Sequence, residues 1–277
     1  NEGLLLGVAD GTLRGIRYSV SDGSHFVLAG DSGTGRSRLL ARMLGDISAA
    51  AQDSQIYLVD YRGTCVGLAR EHVSHLIVDG GKLRALLTDP LILNSDELEH
   101  LPGENLIGEL RRRLEVRSSA LEDGRTLPRF APLVLAIDDY DRVVGGAGQL
   151  FHGLKSWLKW ARELCLSVVC ALSASDVSLI GDPFLQALKN DSNVNVLEFA
   201  TREPAALTER KGRSSALAGS VYLVRRDVSP QLLQVLPPLL VSPWVSGDGA
   251  SSSLETRSSR DNRPFGFGFG PKSFEIS

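Results

Sequence analysis

The sequence is poor in cysteine, and the few cysteines present do not form pairs. There are three, Cys65, Cys165 and Cys170, and no two of them make a C-x-x-C motif. An odd, unpaired set argues against a disulfide framework and indicates a reducing compartment. We therefore expect the three thiols to be buried, where cysteine behaves as a small apolar residue.

Excess positive charge and long apolar runs are also missing. The net charge is −3 and the pI is near 6.0, so the chain lacks the basic field that binding to duplex DNA usually requires. The most apolar run near the end, 232–241, is interrupted by Pro237 and Pro238. No stretch reaches the roughly 18–20 apolar residues of a membrane span, and we expect a soluble chain.

A phosphate-binding pattern is present early in the chain. The apolar run 26–29 ends in the glycine-rich turn GDSGTGRS, and a helical pattern follows at once. Strand, glycine loop and helix in this order are typical of a P-loop, in which backbone N–H groups surround phosphate oxygens at a helix N-terminus. The predicted nucleotide-binding residues are Gly30, Asp31, Ser32, Gly33, Thr34, Gly35, Arg36, Ser37 and Arg38.

Arg36 stands where the P-loop template has lysine. Lysine is a compact point charge that fits beside the β- and γ-phosphates, whereas arginine is a broad planar fork. Arg36 can attract phosphate but is not expected to fit the catalytic pose, so we predict P-loop geometry with weak or absent hydrolysis. Ser37 is predicted to hold Mg²⁺ through its hydroxyl. The alternative is a tight glycine turn that takes no ligand.

A second motif lies about 100 residues further on, in the run LVLAIDDYD at 133–141. Five apolar residues that run into an acid form the Walker B pattern, a strand buried on both faces whose terminal acid reaches the Mg²⁺ shell. Asp138 is the predicted metal-shell residue. Asp139 is the catalytic candidate, one methylene shorter than the glutamate often found there. Ser173, at the end of the apolar run 166–172, is the candidate sensor of the γ-phosphate.

Strands alternate with helices along most of the chain, after an opening hairpin. This order predicts an α/β protein with a RecA-like P-loop NTPase fold, in which helices flank a mainly parallel central sheet. We assign 1–240 to this domain. Residues 241–277, rich in Ser, Gly, Asp and Arg and ending in a Phe-Gly segment, are predicted to be a flexible tail.

Several charged residues have two open interpretations. Asp60 and Arg62, after the apolar run 55–59, either pair with each other or face the nucleotide cleft. The predicted helix 104–121 has an arginine-rich side that is either a solvated face or a contact with a neighbouring subunit or acidic segment. The basic stretch 202–213 supplies either a trans-acting arginine or solvated loop charges.

Four phrases in order, GDSGTGRSRLL, QIYLVDYRG, LVLAIDDYDRV and VYLVRR…PQLLQVLPP, resemble the FtsK/SpoIIIE-like ATPase modules of EccC. EccC is the membrane-anchored ATPase of bacterial type VII (ESX) secretion, and the likeness is greatest to its C-terminal module. The resemblance covers about residues 3–240. By resemblance, Gly30, Gly33, Gly35, Arg36 and Ser37 belong to the nucleotide loop, and Asp138 and Asp139 to Walker B.

The resemblance implies a module that binds ATP and Mg²⁺ and works with other ATPase modules of one motor, hexameric in the full assembly. It implies secreted substrates of the WXG100/ESAT-6 type and no nucleic acid partner. The implied location is the cytoplasmic face of the bacterial inner membrane, with membrane attachment through the rest of the parent protein. Later modules of this family are often degenerate, and Arg36 points the same way. The alternatives are a structural module with a vestigial pocket and an FtsK-class DNA translocase.

Overall fold

The computed structural model describes residues 3–10, 12–88, 105–147, 150–173, 182–199, 220–225 and 228–235. The strands are β1 (Leu4–Ala9), β2 (Gly15–Tyr18), β3 (His25–Ala29), β4 (Gln55–Val59), β5 (His75–Ile77), β6 (Leu133–Ile137), β7 (Leu166–Leu172), β8 (Val194–Phe199), β9 (Ser220–Arg225) and β10 (Val228–Val235). The helices are α1 (Arg36–Ala50), α2 (Val66–Ala69), α3 (Gly80–Leu87), α4 (Leu106–Glu122), α5 (Tyr140–Ala147), α6 (Leu150–Leu158), α7 (Ala161–Leu164) and α8 (Pro183–Asn190).

The described strands form one sheet in the order β2-β1-β10-β9-β8-β3-β7-β6-β4-β5. From β8 to β5 every neighbouring pair is parallel. From β2 to β8 the neighbours are antiparallel, and β1 and β2 form the predicted opening hairpin. The prediction of a large, mainly parallel sheet flanked by helices is confirmed.

The parallel strands are the most apolar elements because helices cover both of their faces. Every residue of β3, β6 and β7 is buried. One face packs against α1 and α2, and the opposite face packs against helices α3 to α8. Since β7 lies between β3 and β6 and all three run the same way, the glycine turn after β3 and the acids after β6 come to the same edge of the sheet.

Helix α4 confirms the predicted helix, but two of its residues are not where the apolar pattern placed them. The apolar spacing of this helix predicts Leu121 on the buried side, but Leu121 is 59% exposed in the last turn. Arg113, assigned to the charged side, is buried. Its Nη1 donates to the carbonyl oxygens of Ala131 and Leu164, each at 2.8 Å, and its guanidinium lies over the ring of Phe130.

The apolar spacing over 148–164 predicts a single helix, and the structure shows that this prediction is wrong. Helix α6 ends at Leu158, and α7 begins at Ala161 after a turn in which the N–H of Trp160 donates to the carbonyl of Trp157. Helix α7 packs closely on the turn before β3. A Cβ added to Gly23 there would lie 2.5 Å from the nitrogen of Arg162.

Cys65 and Cys170 are buried as expected, while Cys165 is only half-buried, and all three are free thiols. Within the described ranges, no helix is both long enough and apolar enough to cross a membrane. The chain divides into the units Asn1–Leu239 and Leu240–Ser277, and all described elements belong to the first. The predicted domain boundary, the tail 241–277 and the basic stretch 202–213 lie outside the described residues and stay predictions.

Candidate functional site

The loop of residues 30–35 joins strand β3 to helix α1; we call it the glycine loop. Gly33 and Gly35 adopt left-handed conformations, with φ of 82° and 102°, which only glycine adopts without strain. Gly35 is the N-cap of α1 and contributes no side-chain cap. The first N–H groups of α1 therefore have no hydrogen bond from a capping side chain, which favours an anionic ligand at this helix end.

Phe199, the last residue of β8, packs against the glycine loop from the neighbouring strand. A Cβ added to Gly30 would lie 2.8 Å from the Cβ of Phe199 and 2.8 Å from the Oγ1 of Thr34. The Thr34 hydroxyl in turn donates to the carbonyl of Asp31 at 2.8 Å. Gly30 is thus required by close packing. No local sequence signal identifies Phe199, because its contact with the loop depends on β8 lying beside β3.

Ser37, in the first turn of α1, and Asp138, directly after β6, are brought into contact. The Oγ of Ser37 donates to the Oδ1 of Asp138 at 3.0 Å. The Oγ1 of Thr64, which sequence reasoning did not include, donates to the Oδ2 of the same carboxylate at 2.7 Å. Burial raises the pKa of Asp138, and the hydrogen bonds from Thr64 and Ser37 oppose that shift. Two hydroxyls and one carboxylate therefore converge beside the glycine loop.

Asp139 lies between two arginines, and we call this set, Arg36, Asp139 and Arg62, the arginine bridge. The Nη2 of Arg36 donates to one carboxylate oxygen at 3.3 Å, and the Nη1 of Arg62 donates to the other at 3.0 Å. Asp139 has a left-handed backbone with φ of 50°, a conformation in which aspartate and asparagine are enriched. The predicted catalytic acid is thus paired with the arginine that replaces the P-loop lysine.

Arg62 and Thr64 reach these acids because Asp60 fixes the loop that carries them. Asp60 is buried, and its carboxylate accepts backbone hydrogen bonds from five successive residues, at 2.8 to 3.3 Å. Its partners are the N–H groups of Arg62, Gly63, Thr64, Cys65 and Val66. Asp60 therefore does not form a side-chain pair with Arg62, and the Arg62 guanidinium faces the cleft.

The remaining predicted site residues are Ser173, Asp31, Ser32 and Arg38. The backbone N–H of Ser173 donates to Asp141 Oδ1 at 3.4 Å at the same edge of the sheet. Asp31, Ser32 and Arg38 are exposed on the glycine loop and the first turn of α1. Their assignment to a ligand stays a prediction.

Glu198 is a buried carboxyl group that sequence reasoning missed. It pairs in register with Ala29, the residue before the glycine loop. Its side chain points to the opposite face of the sheet from that of Phe199, because successive strand residues alternate. Burial raises the pKa of Glu198 to about 6, and its Oε2 finds no hydrogen-bond partner among the described residues.

The oxygen atoms around Asp138 are ligands of the kind that Mg²⁺ prefers. No cluster of three or more His, Cys, Asp or Glu side chains within the described ranges forms a self-contained metal site. Mg²⁺ does not require one, since it usually binds one or two carboxylates together with substrate phosphates and waters. The hydroxyl of Ser37 and the carboxylate of Asp138, in contact at 3.0 Å, match this requirement.

Comparison with known proteins gives a match at the level of structure. No protein-family model matches the sequence, and no curated protein matches it either. The fold is similar to the cytoplasmic domain of the type VII secretion ATPase EccC of Thermomonospora curvata, with a TM-score of 0.62 and 19% identity. That alignment covers 84% of this chain and 26% of the EccC domain.

Two further solved structures show the same likeness. ATPases 2 and 3 of the same EccC, in complex with a signal sequence peptide, align with a TM-score of 0.59 and 20% identity over 84% of this chain and 40% of that one. ATPases 2 and 3 of EssC from Geobacillus thermodenitrificans align with a TM-score of 0.63 and 15% identity over 91% and 46%. The chain spans less than half the length of each. The likeness establishes the RecA-like fold, and the predicted resemblance to EccC modules is confirmed at the level of fold.

Proposed function

We propose that this chain is an ATP-binding module of a type VII secretion motor that is degenerate and hydrolyses ATP weakly or not at all on its own. The observation that carries the proposal is the convergence of three parts at one edge of the sheet. These are the uncapped N-terminus of α1 behind the glycine loop, the Ser37–Asp138 contact at 3.0 Å, and the hydroxyl of Thr64 on the same carboxylate. The EccC-like fold supports the assignment to a secretion motor.

Each part has a place in binding a nucleotide. The backbone of the glycine loop and the first turn of α1 would take the phosphates, as in other P-loops. Ser37 and Asp138 would hold Mg²⁺, which when bound neutralises charge on the phosphate oxygens. Thr64 orients the carboxylate of Asp138 from the side opposite Ser37, because the two hydroxyls bond different oxygens.

Weak hydrolysis is expected from the identity of residue 36 and from the identity and pairing of residue 139. Arg36 replaces the lysine that lies beside the β- and γ-phosphates. Asp139 is one methylene shorter than the glutamate often found at this position, and before a nucleotide binds both of its carboxylate oxygens accept hydrogen bonds from arginines. Asp139 is therefore poorly placed to orient an attacking water. Asp139 and Ser173 are kept as the catalytic candidates.

Partners and location are proposed from the relatives. One EccC structure holds a signal sequence peptide, and we propose that this module contributes to recognition of WXG100/ESAT-6-like secreted substrates. It would act beside other ATPase modules in a hexameric assembly on the cytoplasmic face of the inner membrane, attached to the membrane through the rest of the parent protein. No nucleic acid partner is proposed.

Calorimetry with ATP and Mg²⁺ tests the proposal on three chains: the wild type, Arg36→Lys and Ser37→Ala. We expect micromolar binding by the wild type, equal or tighter binding by Arg36→Lys, and weaker binding by Ser37→Ala, which loses the Mg²⁺-side hydroxyl. Absence of binding by both the wild type and Arg36→Lys would instead support a structural module with a vestigial pocket. Strong, salt-dependent affinity for DNA would favour an FtsK-class translocase.

A further inference from the structure

The arginine bridge places two cations on one buried anion beside the glycine loop. Arg36 belongs to the P-loop motif, but Arg62 lies outside it, after β4, in the loop that Asp60 fixes. The side chains of Arg36 and Asp139 are each 11% exposed, whereas that of Arg62 is 46% exposed. One side of the bridge is thus buried, and the other is open to solvent.

On the buried side of the bridge, the Arg36 guanidinium has N–H groups that its partner Asp139 does not satisfy. The Nη1 of Arg36 is buried and finds no hydrogen-bond partner among the described residues. A buried guanidinium N–H without an acceptor is unfavourable. Its Nη2 reaches Asp139 only at 3.3 Å, longer than the roughly 2.7–2.9 Å of a strong charge-assisted hydrogen bond. The carboxylate of Asp139 therefore satisfies Arg36 incompletely.

A terminal phosphate would satisfy both arginines better than Asp139 does. It offers three acceptor oxygens and up to two negative charges, and guanidinium groups bind phosphate through paired N–H donors. In a P-loop, the residue at the position of Arg36 lies beside the β- and γ-phosphates. Arg62 donates to the same carboxylate as Arg36, from the opposite side. The space between the two guanidiniums is where a γ-phosphate would compete with the carboxylate.

We propose that Arg62 is a γ-phosphate-binding residue of this site, and that Asp139 holds the place of the γ-phosphate between Arg36 and Arg62 until a nucleoside triphosphate displaces it. The inference rests on the proposed function, because it names a further residue of the same nucleotide site. It makes Asp139 a competitor of the ligand in the binding step. Removal of the Asp139 charge then strengthens binding, although loss of an acid from a Mg²⁺-dependent site ordinarily weakens it.

Calorimetry on four variants separates these roles, with ATP and ADP in the presence of Mg²⁺ and with inorganic tripolyphosphate in its absence. Asp139→Asn is expected to fold, since asparagine tolerates the left-handed backbone, and to bind ATP and tripolyphosphate about tenfold more tightly than the wild type. Arg62→Gln is expected to weaken the binding of ATP about tenfold and the binding of ADP less than about threefold. Arg62→Lys should recover part of the ATP affinity.

Asp46→Asn is the matched control for the loss of one carboxylate. Asp46 also pairs with an arginine, Arg42, at 3.4 Å, but lies ten residues beyond Arg36 on α1, roughly 15 Å away along the helix. We expect its nucleotide affinity to equal that of the wild type. Melting temperatures of all variants, measured without ligand, show whether each is folded before its affinity is compared.

Other outcomes identify which idea is wrong. If the wild type binds ATP but Asp139→Asn binds it equally or more weakly, the place-holding role is overturned and the proposed function stands. If Arg62→Gln weakens the binding of ATP and of ADP by the same factor, Arg62 does not bind the γ-phosphate and only stabilises the conformation of its loop. If neither the wild type nor Asp139→Asn binds any of the three ligands, the proposed function and the inference are both overturned. Binding by Asp139→Asn alone would also overturn the inference, because a nucleoside triphosphate would then fail to displace Asp139 from the wild type.

Discussion

Glu198 has an environment that disfavours its charge, one strand away from the glycine loop. It is 2% exposed, its Oε2 has no hydrogen-bond partner among the described residues, and burial raises its pKa to about 6. A carboxyl group whose pKa is higher in the folded chain than in the unfolded chain stabilises the fold while it is protonated. That contribution is complete below the unfolded pKa of about 4.5 and is lost as the pH rises through about 6.

Glu198→Gln is therefore expected to stabilise the protein at neutral pH. The ionised carboxylate costs about 2 kcal/mol at pH 7.5 and less than about 1 kcal/mol at pH 5, and a neutral amide avoids this cost. Urea unfolding at both pH values should show that the advantage of Glu198→Gln over the wild type grows by about 1 kcal/mol from pH 5 to pH 7.5. Glu115→Gln, an exposed site on α4, is the control and should show no such growth. A pH-independent difference at Glu198 would contradict the shifted pKa.

Arg113 makes α4 part of the core. It donates to the carbonyls of Ala131 and Leu164, which precede β6 and β7, and to Glu109 Oε1 at 2.7 Å within its own helix. Its loss would leave two carbonyl groups without their donor and would leave Glu109 with Arg112 as its remaining arginine partner. Removal of one partner from a buried charged network costs about 3–5 kcal/mol. The arginine thus fixes how α4 meets the ends of two core strands.

Arg113→Met tests this role, with Arg112→Met as a matched control. Arg112 bonds the same Glu109, through two hydrogen bonds of 2.7 Å, but its side chain is 59% exposed. We expect Arg113→Met to lower the free energy of unfolding by about 3 kcal/mol and Arg112→Met by less than about 1 kcal/mol. Chemical denaturation of both variants gives the comparison. Equal losses would mean that the pairing with Glu109, and not the two carbonyl contacts, carries the effect.

Arg113 is buried and Arg112 is exposed, although they are neighbours in the sequence. This contrast shows which features of the helices and strands could be predicted from the sequence. Strands β3 and β6 and the turns after them were predictable, because continuous apolar runs and glycine or acidic ends are local signals. The burial of Arg113 was not, since its carbonyl partners come from segments 18 and 51 residues away. The break at Trp160 was missed for a similar reason, because the apolar stripe continues across it.

The same limit applies to the candidate site. Ser37 and Asp138 follow from motifs whose spacing is local, and the structure brings them together. For Arg62 the sequence left two interpretations open, and Thr64 and Phe199 belong to no local motif. All three reach the site only because β4 and β8 take their places in the sheet. The strand order, which the sequence pattern does not encode, decides these three contacts.

At the scale of the whole molecule, the candidate site depends on strands that are distant along the chain. Its residues follow β3, β4 and β6, and β7 lies between β3 and β6 in the sheet. Loss of the parallel sheet would therefore separate Ser37, Thr64 and Asp138. A nucleotide that requires all three can bind only the folded sheet, so its binding free energy adds to the stability of the fold.

ATP with Mg²⁺ is consequently expected to raise the melting temperature of the whole chain. At a free concentration about 100 times the Kd, a ligand of the native state adds about 2.7 kcal/mol, which corresponds to roughly 5–10 °C for a domain of this size. Thermal unfolding by circular dichroism, with and without ATP, measures the shift, and Ser37→Ala should reduce it. The shift should grow with the logarithm of the ligand concentration, as mass action requires. No shift at saturating ATP would show that the glycine loop no longer takes nucleotide, and partner binding would then be the remaining function of this edge of the sheet.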